Sequence, residues 1–458
     1  MSDGPKLLAP WRWREHCPWL ILLQTFSLAI SMPILFCGTA GALLTPIGWR
    51  LSEVLFIGDV VDDDRLSAAG PVLQPLMNRN AHWPFPADVD GDELDTVRGD
   101  ALHAWPYFEA VHPTAEAFPQ PLPWIMQRLP GNSGTVYWRF VEPFRTMFRA
   151  GLNVREFAYL VFGCLWTVAV WAFFGGVITR IAVVRLGREE PMNFKTAVGY
   201  VLRKWRSYFA APFMPLIGIF LIALPLALCG LLMRSDVGAA IIGFIYPVLL
   251  LLCGFFMVLL SIGLMFGWPL MWGAISSEQS GDGFEAFSRS FSYTFQRPLH
   301  YLFYALVALV FSALCWLVVS VSANAVIQLT GLGLATGSGL DRYFEIENAA
   351  GGAAGMAESL FDFGAGLVHS VAVGIMHGLF WCLAAAIYLL LRSNVDHTEL
   401  DDVYLEDEHL ERPMPELAQD SAGVAMAPES DSKQSSSEEP SAKSAADDEP
   451  PKPPTVDG

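Results

Sequence analysis

Residues 281 to 298 read GDGFEAFSRSFSYTFQRP, a serine- and aromatic-rich run that lies between two long apolar stretches and belongs to neither. Phe284, Phe287, Phe291 and Phe295 stand at steps of 0, 3, 7 and 11, which form one narrow stripe on an α-helix. Glu285, Ser288, Arg289, Ser292 and Gln296 fall on the other faces; Asp282 suits the N-cap and Pro298 stops the helix. The run is too short and too polar to cross a bilayer. The pattern predicts an amphipathic helix lying in the membrane interface, with its phenylalanines in the acyl boundary.

The surroundings set the fold class. The chain has 458 residues, is 53% hydrophobic and 16% charged, and has a mean hydropathy of +0.39, which places it among membrane proteins. Apolar runs at 18–47, 157–184, 208–233, 238–275, 299–329 and 367–391 each reach the roughly 20 residues a spanning helix needs. The expectation is an all-α polytopic protein of about six transmembrane helices. The fourth run is read as one long helix, because no polar turn divides it. The first run is about twice a signal-peptide core and is read as an uncleaved anchor, although Ala40-Gly41-Ala42 has the small residues of a cleavage site.

The loop after the second run repeats the opening pattern. Asn193 suits an N-cap, and Phe194, Ala197, Val201 and Trp205 follow at the same 0, 3, 7, 11 steps, widened by Val198 and Leu202. Spans two to three and four to five therefore read as a parallel duplication, each pair joined by an interfacial helix (193–206 and 283–297). The segments Gly175-Gly176-Val177-Ile178-Thr179-Arg180-Ile181-Ala182, Gly267-Trp268-Pro269-Leu270-Met271, Phe284-Glu285-Ala286-Phe287-Ser288-Arg289-Ser290 and Arg297-Pro298 resemble a bacterial family of uncharacterised polytopic membrane proteins. More distantly, the repeated helix is similar to the membrane domain attached to some glycerophosphodiester phosphodiesterases. The resemblance covers about 140–392 and implies a fold and a location. It carries no catalytic residue, and the chain has no room for the soluble barrel of about 250 residues that the phosphodiesterase would need.

Cations set the orientation, since lysine and arginine in short loops stay cytoplasmic. Arg180, Arg185, Arg188, Lys195, Arg203, Lys204 and Arg206 follow span two, Arg289 and Arg297 follow span four, and Arg392 closes span six. The alternate loops are poor in them. Both termini are expected in the cytoplasm of a cell whose cytoplasmic (inner) membrane holds the chain. The organisation read is a cytoplasmic N-terminus (1–17), a first transmembrane helix (18–48), an extracytoplasmic segment (49–156), a five-span membrane domain (157–392) and an acidic cytoplasmic tail (393–458). The outer segment, rich in proline and tryptophan, is expected to be mostly irregular with short helices. Phe140, Phe144, Met147, Phe148 and Leu152 predict one helix lying on the outer surface before span two. From Asp396 onward the tail has 18 acidic and 4 basic residues, 14 of the 18 net negative charges, and a composition that does not fold. It reads as solvated, or as a docking tail for a basic protein partner.

Chemistry-bearing patterns are few. The seven cysteines (Cys17, Cys37, Cys164, Cys229, Cys253, Cys315 and Cys382) lie in or beside apolar runs and give neither a zinc nor a CxxC spacing. Asp88-Val89-Asp90-Gly91-Asp92 opens like a calcium loop, but positions six and twelve are Glu93 and Gly99 instead of glycine and glutamate. Gly131-Asn132-Ser133-Gly134 and the glycines at 351–355 read as turns or loop. No Walker loop, GxSxG, HExxH or Rossmann fingerprint occurs, and a pI near 4.9 argues against nucleic acid. No metal or cofactor is expected. The middles of spans one to five hold no charged residue, against ion-coupled transport. Asn324, Gln328, His369 and His377 remain as a polar membrane site, with helix-to-helix hydrogen bonding as the simpler use. Two readings stay open: a non-catalytic scaffold or assembly partner in the lipid bilayer, and a solute transporter, channel or lipid-handling protein.

Overall fold

The computed structural model describes residues 17–57, 135–147, 152–347, 349 and 351–405, in which the regular structure is helical throughout. The acidic stretch at 88–92, the glycine turn at 131–134, the proline-rich outer segment and the tail beyond 405 lie outside the described residues. In chain order the longer elements are α1 (Ile21–Ala29), α2 (Met32–Phe56), α3 (Thr135–Thr146), α4 (Val154–Gly187), α5 (Phe194–Ala210), α6 (Phe213–Leu232), α7 (Asp236–Leu249), α8 (Phe255–Ser277), α9 (Gly283–Gln296), α10 (Pro298–Ser338), α11 (Leu340–Glu347) and α12 (Gly352–Asp396). Six stretches, centred on α2, α4, α6, α8, α10 and α12, are long and apolar enough to cross a bilayer, so this is a multi-pass helical membrane protein.

Two expected boundaries move. The first apolar run is broken, not one span: α1 ends at Ala29, Ser31 is extended (φ −66°, ψ 141°), and α2 starts with Pro33 in its first turn and runs on to Phe56. Pro33 has no N–H to give the preceding turn, and the Ser31 hydroxyl caps the Leu28 carbonyl at 2.6 Å instead. Gly41, in the cleavage-like triplet, lies inside α2, where a Cβ would come within 2.9 Å of the Trp171 ring. The glycines after 351 do not form a loop: Gly352 has φ +69° and opens α12 directly. The fourth run is helical throughout, with one π-helical turn at Leu250–Gly254 just after Pro247, where the ladder loses a donor.

Packing is small against large. Gly41 and Gly48 of α2 face Trp171 and Trp166 of α4, and Gly163 of α4 faces Trp49. Each tryptophan also finds an acceptor: Trp49 Nε1 donates to the Thr167 hydroxyl (3.1 Å), Trp166 Nε1 to the Leu44 carbonyl (3.0 Å) and Trp171 Nε1 to the Thr45 hydroxyl (3.0 Å). Close backbone approach plus satisfied polar groups is how helices associate where lipid removes the hydrophobic drive. At Gly38 and Gly374, α2 and α12 cross so closely that a Cβ on Gly38 would lie 2.2 Å from the Gly374 carbonyl oxygen. The C-terminal half of α12 is apolar all round and buried from Trp381 to Arg392, so it forms the axis of the bundle. By contrast only 6% of the apolar window of α6 is buried, which leaves its leucines and phenylalanines to the bilayer.

The two amphipathic helices form where the sequence places them, and both caps are made: Asn193 accepts from the Lys195 N–H, and Asp282 from the Glu285 N–H. Their registers differ from the expectation in one respect. α9 turns its small and polar face inward (Gly283, Ala286, Ser290, Tyr293, Thr294), leaving Phe284 and Phe295 exposed and Phe287 and Phe291 half-buried. On α5 the expected stripe splits. Val201 does not face outward but packs on Gly176 of α4 beside Tyr208, and Ala197 is buried too, while Leu202 is exposed and Phe194 and Trp205 are half-buried. With the caps aligned, Ala197 matches Ala286 and Val201 matches Ser290, a one-residue shift from the aromatic alignment. Contact with α4 decides that face, because glycine at 176 accepts a branched side chain.

Candidate functional site

The end of the bundle where α4, α8 and α12 finish is a buried polar joint. The last turn of any helix leaves carbonyls without donors, and at α8 side chains from elsewhere supply them. Tyr200 of α5 donates to the Ile275 carbonyl (2.6 Å), Arg180 of α4 to that of Ser276, and Lys204 of α5 to those of Glu278 and Gln279 (3.1 and 2.9 Å). The Tyr404 N–H closes the set on the Ser277 carbonyl at 3.0 Å. Arg180, 1% exposed, also donates to the Tyr404 carbonyl (2.8 Å) and lies 4.0 Å over the Tyr200 ring. A cation at a helix C-terminus is favoured by the macrodipole, and the ring face adds a cation–π contact.

A second tier ties in α9 and the segment after α12. The Glu278 carboxylate accepts from Arg289 (3.0 Å) and lies 3.2 Å from the Arg392 guanidinium as an ion pair; Arg289 also pairs with Glu285 at 2.8 Å, and Arg392 with Asp402. Burial is the largest single influence on Arg289 and opposes its charge, but the Glu278 carboxylate, Tyr388 and Tyr293 together outweigh it and hold the guanidinium above the ordinary arginine range. Burial, with Tyr388 and Asp396 adding, pushes the Tyr293 phenol up, so it stays protonated and donates to Asp396. Val403, 3% exposed, seats the strap 397–404 against Gly187, where a Cβ would lie 2.6 Å from the Leu400 oxygen. Arg289 and Arg392 pair with Glu278, Glu285, Asp396 and Asp402, while Arg180 and Lys204 donate to backbone carbonyls. Chemically this is a joint that holds elements together.

The middle of the bundle is different. Helix α3 does not lie on the outer surface as expected. Its C-terminal part, Phe144 and Met147, packs near Tyr159 and Leu160 at the start of α4, but its Phe140 sits beside Trp171, midway along α4. Five rings surround Phe140: Trp171 (5.6 Å between centroids), Trp268 (5.4 Å), His377 (6.3 Å), Phe380 (6.0 Å) and Trp381 (5.8 Å). The aromatic drive into this box outweighs what a surface position offers. Pro269 adds a second reason: its missing N–H frees the Met265 carbonyl, which Tyr137 of α3 takes at 2.7 Å. Trp171 is nine residues from Arg180, about 13 Å along the helix, and lies midway along α4, so α3 enters the bundle instead of resting on its end.

Beside Phe140 a cavity of about 20 Å³, room for one water, is lined by Thr45, Trp49, Arg139, Thr167, Trp171 and His377, among others. His377 is buried, stacks on Trp171 at 4.8 Å, and shares a 2.9 Å hydrogen bond with the Val373 carbonyl. The other expected polar residues do not line it. His369 stands eight residues earlier on α12, and Asn324 (half-buried) and Gln328 (exposed) lie on α10. Sequence reasoning missed the partners Thr45, Thr167 and Arg139; the Trp268-Pro269 dipeptide was the available signal that a carbonyl needed an outside donor. Among the described residues no three of His, Cys, Asp and Glu converge to hold a metal ion.

No model of a known protein family matches the chain, and no curated protein or solved structure is significantly similar to it.

Proposed function

We propose that this protein is a non-catalytic assembly scaffold of the cytoplasmic membrane, with both termini in the cytoplasm. The observation that carries the reading is excess length. α10 and α12 have 41 and 45 residues, about 60 and 67 Å of helix against a ~30 Å hydrocarbon layer. With the C-terminal end of α12 fixed at the polar joint and α10 packed along α12, the far ends of both helices and α11 project beyond the lipid. They carry exposed Leu340, Phe344, Met356, Leu360 and Phe363 beside Asp341, Glu345, Glu358 and Asp362. Apolar surface outside lipid is the mark of a partner site. On the cytoplasmic side the cations around α5 and α9 support the orientation, the outward phenylalanines of α9 suit an interfacial helix, and the acidic tail leaves from the strap at Tyr404. Because the strap is part of the joint, the root of the tail is fixed, and the tail's acidic composition suits a basic protein partner.

The test is affinity purification of the full chain and of a chain ending at residue 405, which keeps the strap, with co-purifying proteins and lipids identified together. A stoichiometric partner held by either end supports the scaffold; a bare protein from both preparations sinks it. A tag at residue 458 that is reachable from outside intact cells refutes the orientation. The second reading, transport or lipid handling, is favoured by one observation, the mid-bundle cavity under α3.

A further inference from the structure

The box around Phe140 is built for a flat ring. Phe380 lies nearly parallel to it (24°), and Trp171 (83°), His377 (73°) and Trp381 (65°) present edges or faces across it. Such pairings reward an aromatic quadrupole and give a saturated acyl chain nothing beyond contact area. The box also carries a fixed polar requirement. Pro269 leaves the Met265 carbonyl without a helix donor, Tyr137 now supplies its hydroxyl at 2.7 Å, and Tyr137 itself stacks on Trp268 (6.0 Å, 30°). At this depth no bulk water replaces that donor. Met265 and Phe266 are exposed on the apolar flank of α8, so the Tyr137 end of the box opens sideways to the bilayer.

We propose that this box is a binding site for a membrane-soluble molecule bearing a hydroxylated aromatic ring, of the alkylphenol class, and that α3 is its resident stand-in. α3 offers the two features such a ligand needs, a ring in the box (Phe140) and a phenolic hydroxyl on the Met265 carbonyl (Tyr137). It is a helix of 12 residues interrupted by Pro143, which removes one of its own ladder bonds. A ligand arriving through the lipid displaces Tyr137 first and Phe140 second. The small cavity beside Arg139, Thr45, Thr167 and His377 receives a polar ring substituent or a water. The site is separate from the surfaces of the scaffold reading, and either stands without the other.

The experiment uses the full chain in lipid nanodiscs and a diazirine-bearing 4-alkylphenol as photoprobe, with adducts mapped by peptide mass spectrometry. Adducts are expected around Trp268 on α8 and Phe380 and Trp381 on α12, and excess 4-nonylphenol removes them. Nonylbenzene, which lacks the hydroxyl, competes about tenfold more weakly, the effect of one hydrogen bond of ordinary strength. Phe140→Trp, which wedges the resident ring in place, lowers labelling, and Phe140→Ala raises it. Adducts confined to the exposed surfaces of α6 and α10, adducts that excess phenol leaves unchanged, or equal competition by nonylbenzene would each overturn the proposal. The nonylbenzene comparison on the unsubstituted protein decides the matter even where a Phe140 variant fails to fold.

Discussion

Replacing Glu278 by glutamine removes the one carboxylate shared by two arginines. The Arg392 side chain is 6% exposed and that of Glu278 16%, so this is a buried pair, and breaking such a pair from one side costs ~3–5 kcal/mol. Arg392 keeps the Asp402 carbonyl at 2.5 Å, and Arg289, 32% exposed, keeps Glu285 at 2.8 Å, which places the expected cost near the lower end, about 3 kcal/mol. At ~2–4 °C per kcal/mol, the melting temperature of the purified protein in mild detergent falls by roughly 6–12 °C, read by tryptophan fluorescence. The cause is a stranded charge, not lost packing. The double variant Glu278→Met with Arg392→Met therefore recovers most of the loss, because apolar replacement of both partners of a buried pair is close to neutral. A Glu278→Gln melt within about 2 °C of the parent, or a double variant as unstable as the two single losses combined, would refute the reasoning.

Gly38→Ala places a Cβ 2.2 Å from the Gly374 carbonyl oxygen, a clash with backbone that side-chain rotation cannot relieve; a loss of about 1–3 kcal/mol or more is expected, measurable as a lowered melting point. Asp282→Ala removes the cap of α9 and costs about 1 kcal/mol, with hydrogen exchange rising in its first turn and unchanged in α8. Phe287→Asp together with Phe291→Asp puts charges where an interfacial helix needs anchors; protease protection of the 278–298 region is expected to fall, and unchanged protection would exclude the interfacial reading.

The helical class, the number of spans and both short helices follow from hydropathy and period, because a chain in lipid must satisfy its backbone within each segment. Asn193 and Asp282 were legible as caps for the same local reason. What was not legible depends on distant partners. Arg180 reads as one more topology cation, yet it caps α8 and holds Tyr404, 224 residues away. Val201 reads as part of an outward stripe until Gly176 offers it a seat on α4. Phe140 has the same spacing whether its helix rests on lipid or enters the bundle. Only Trp171, Trp268, Phe380 and Trp381, brought together by three other helices, decide between the two. Of the expected polar residues His377 alone lines the cavity, because depth and rotation on α12 are set by the glycine crossing with α2.

The depth of α3 also orders events in time. Phe140 leaves the ribosome well before Trp268, and Trp381 follows it by 241 residues, which at ~5–20 residues per second is about 12–48 s of synthesis. Throughout that interval the box has no far wall, and the Met265 carbonyl that Tyr137 will hold does not yet exist. Among the described spanning helices, the last to be made is thus the one that completes the box around the much earlier α3, so these helices close around α3 from the α12 side.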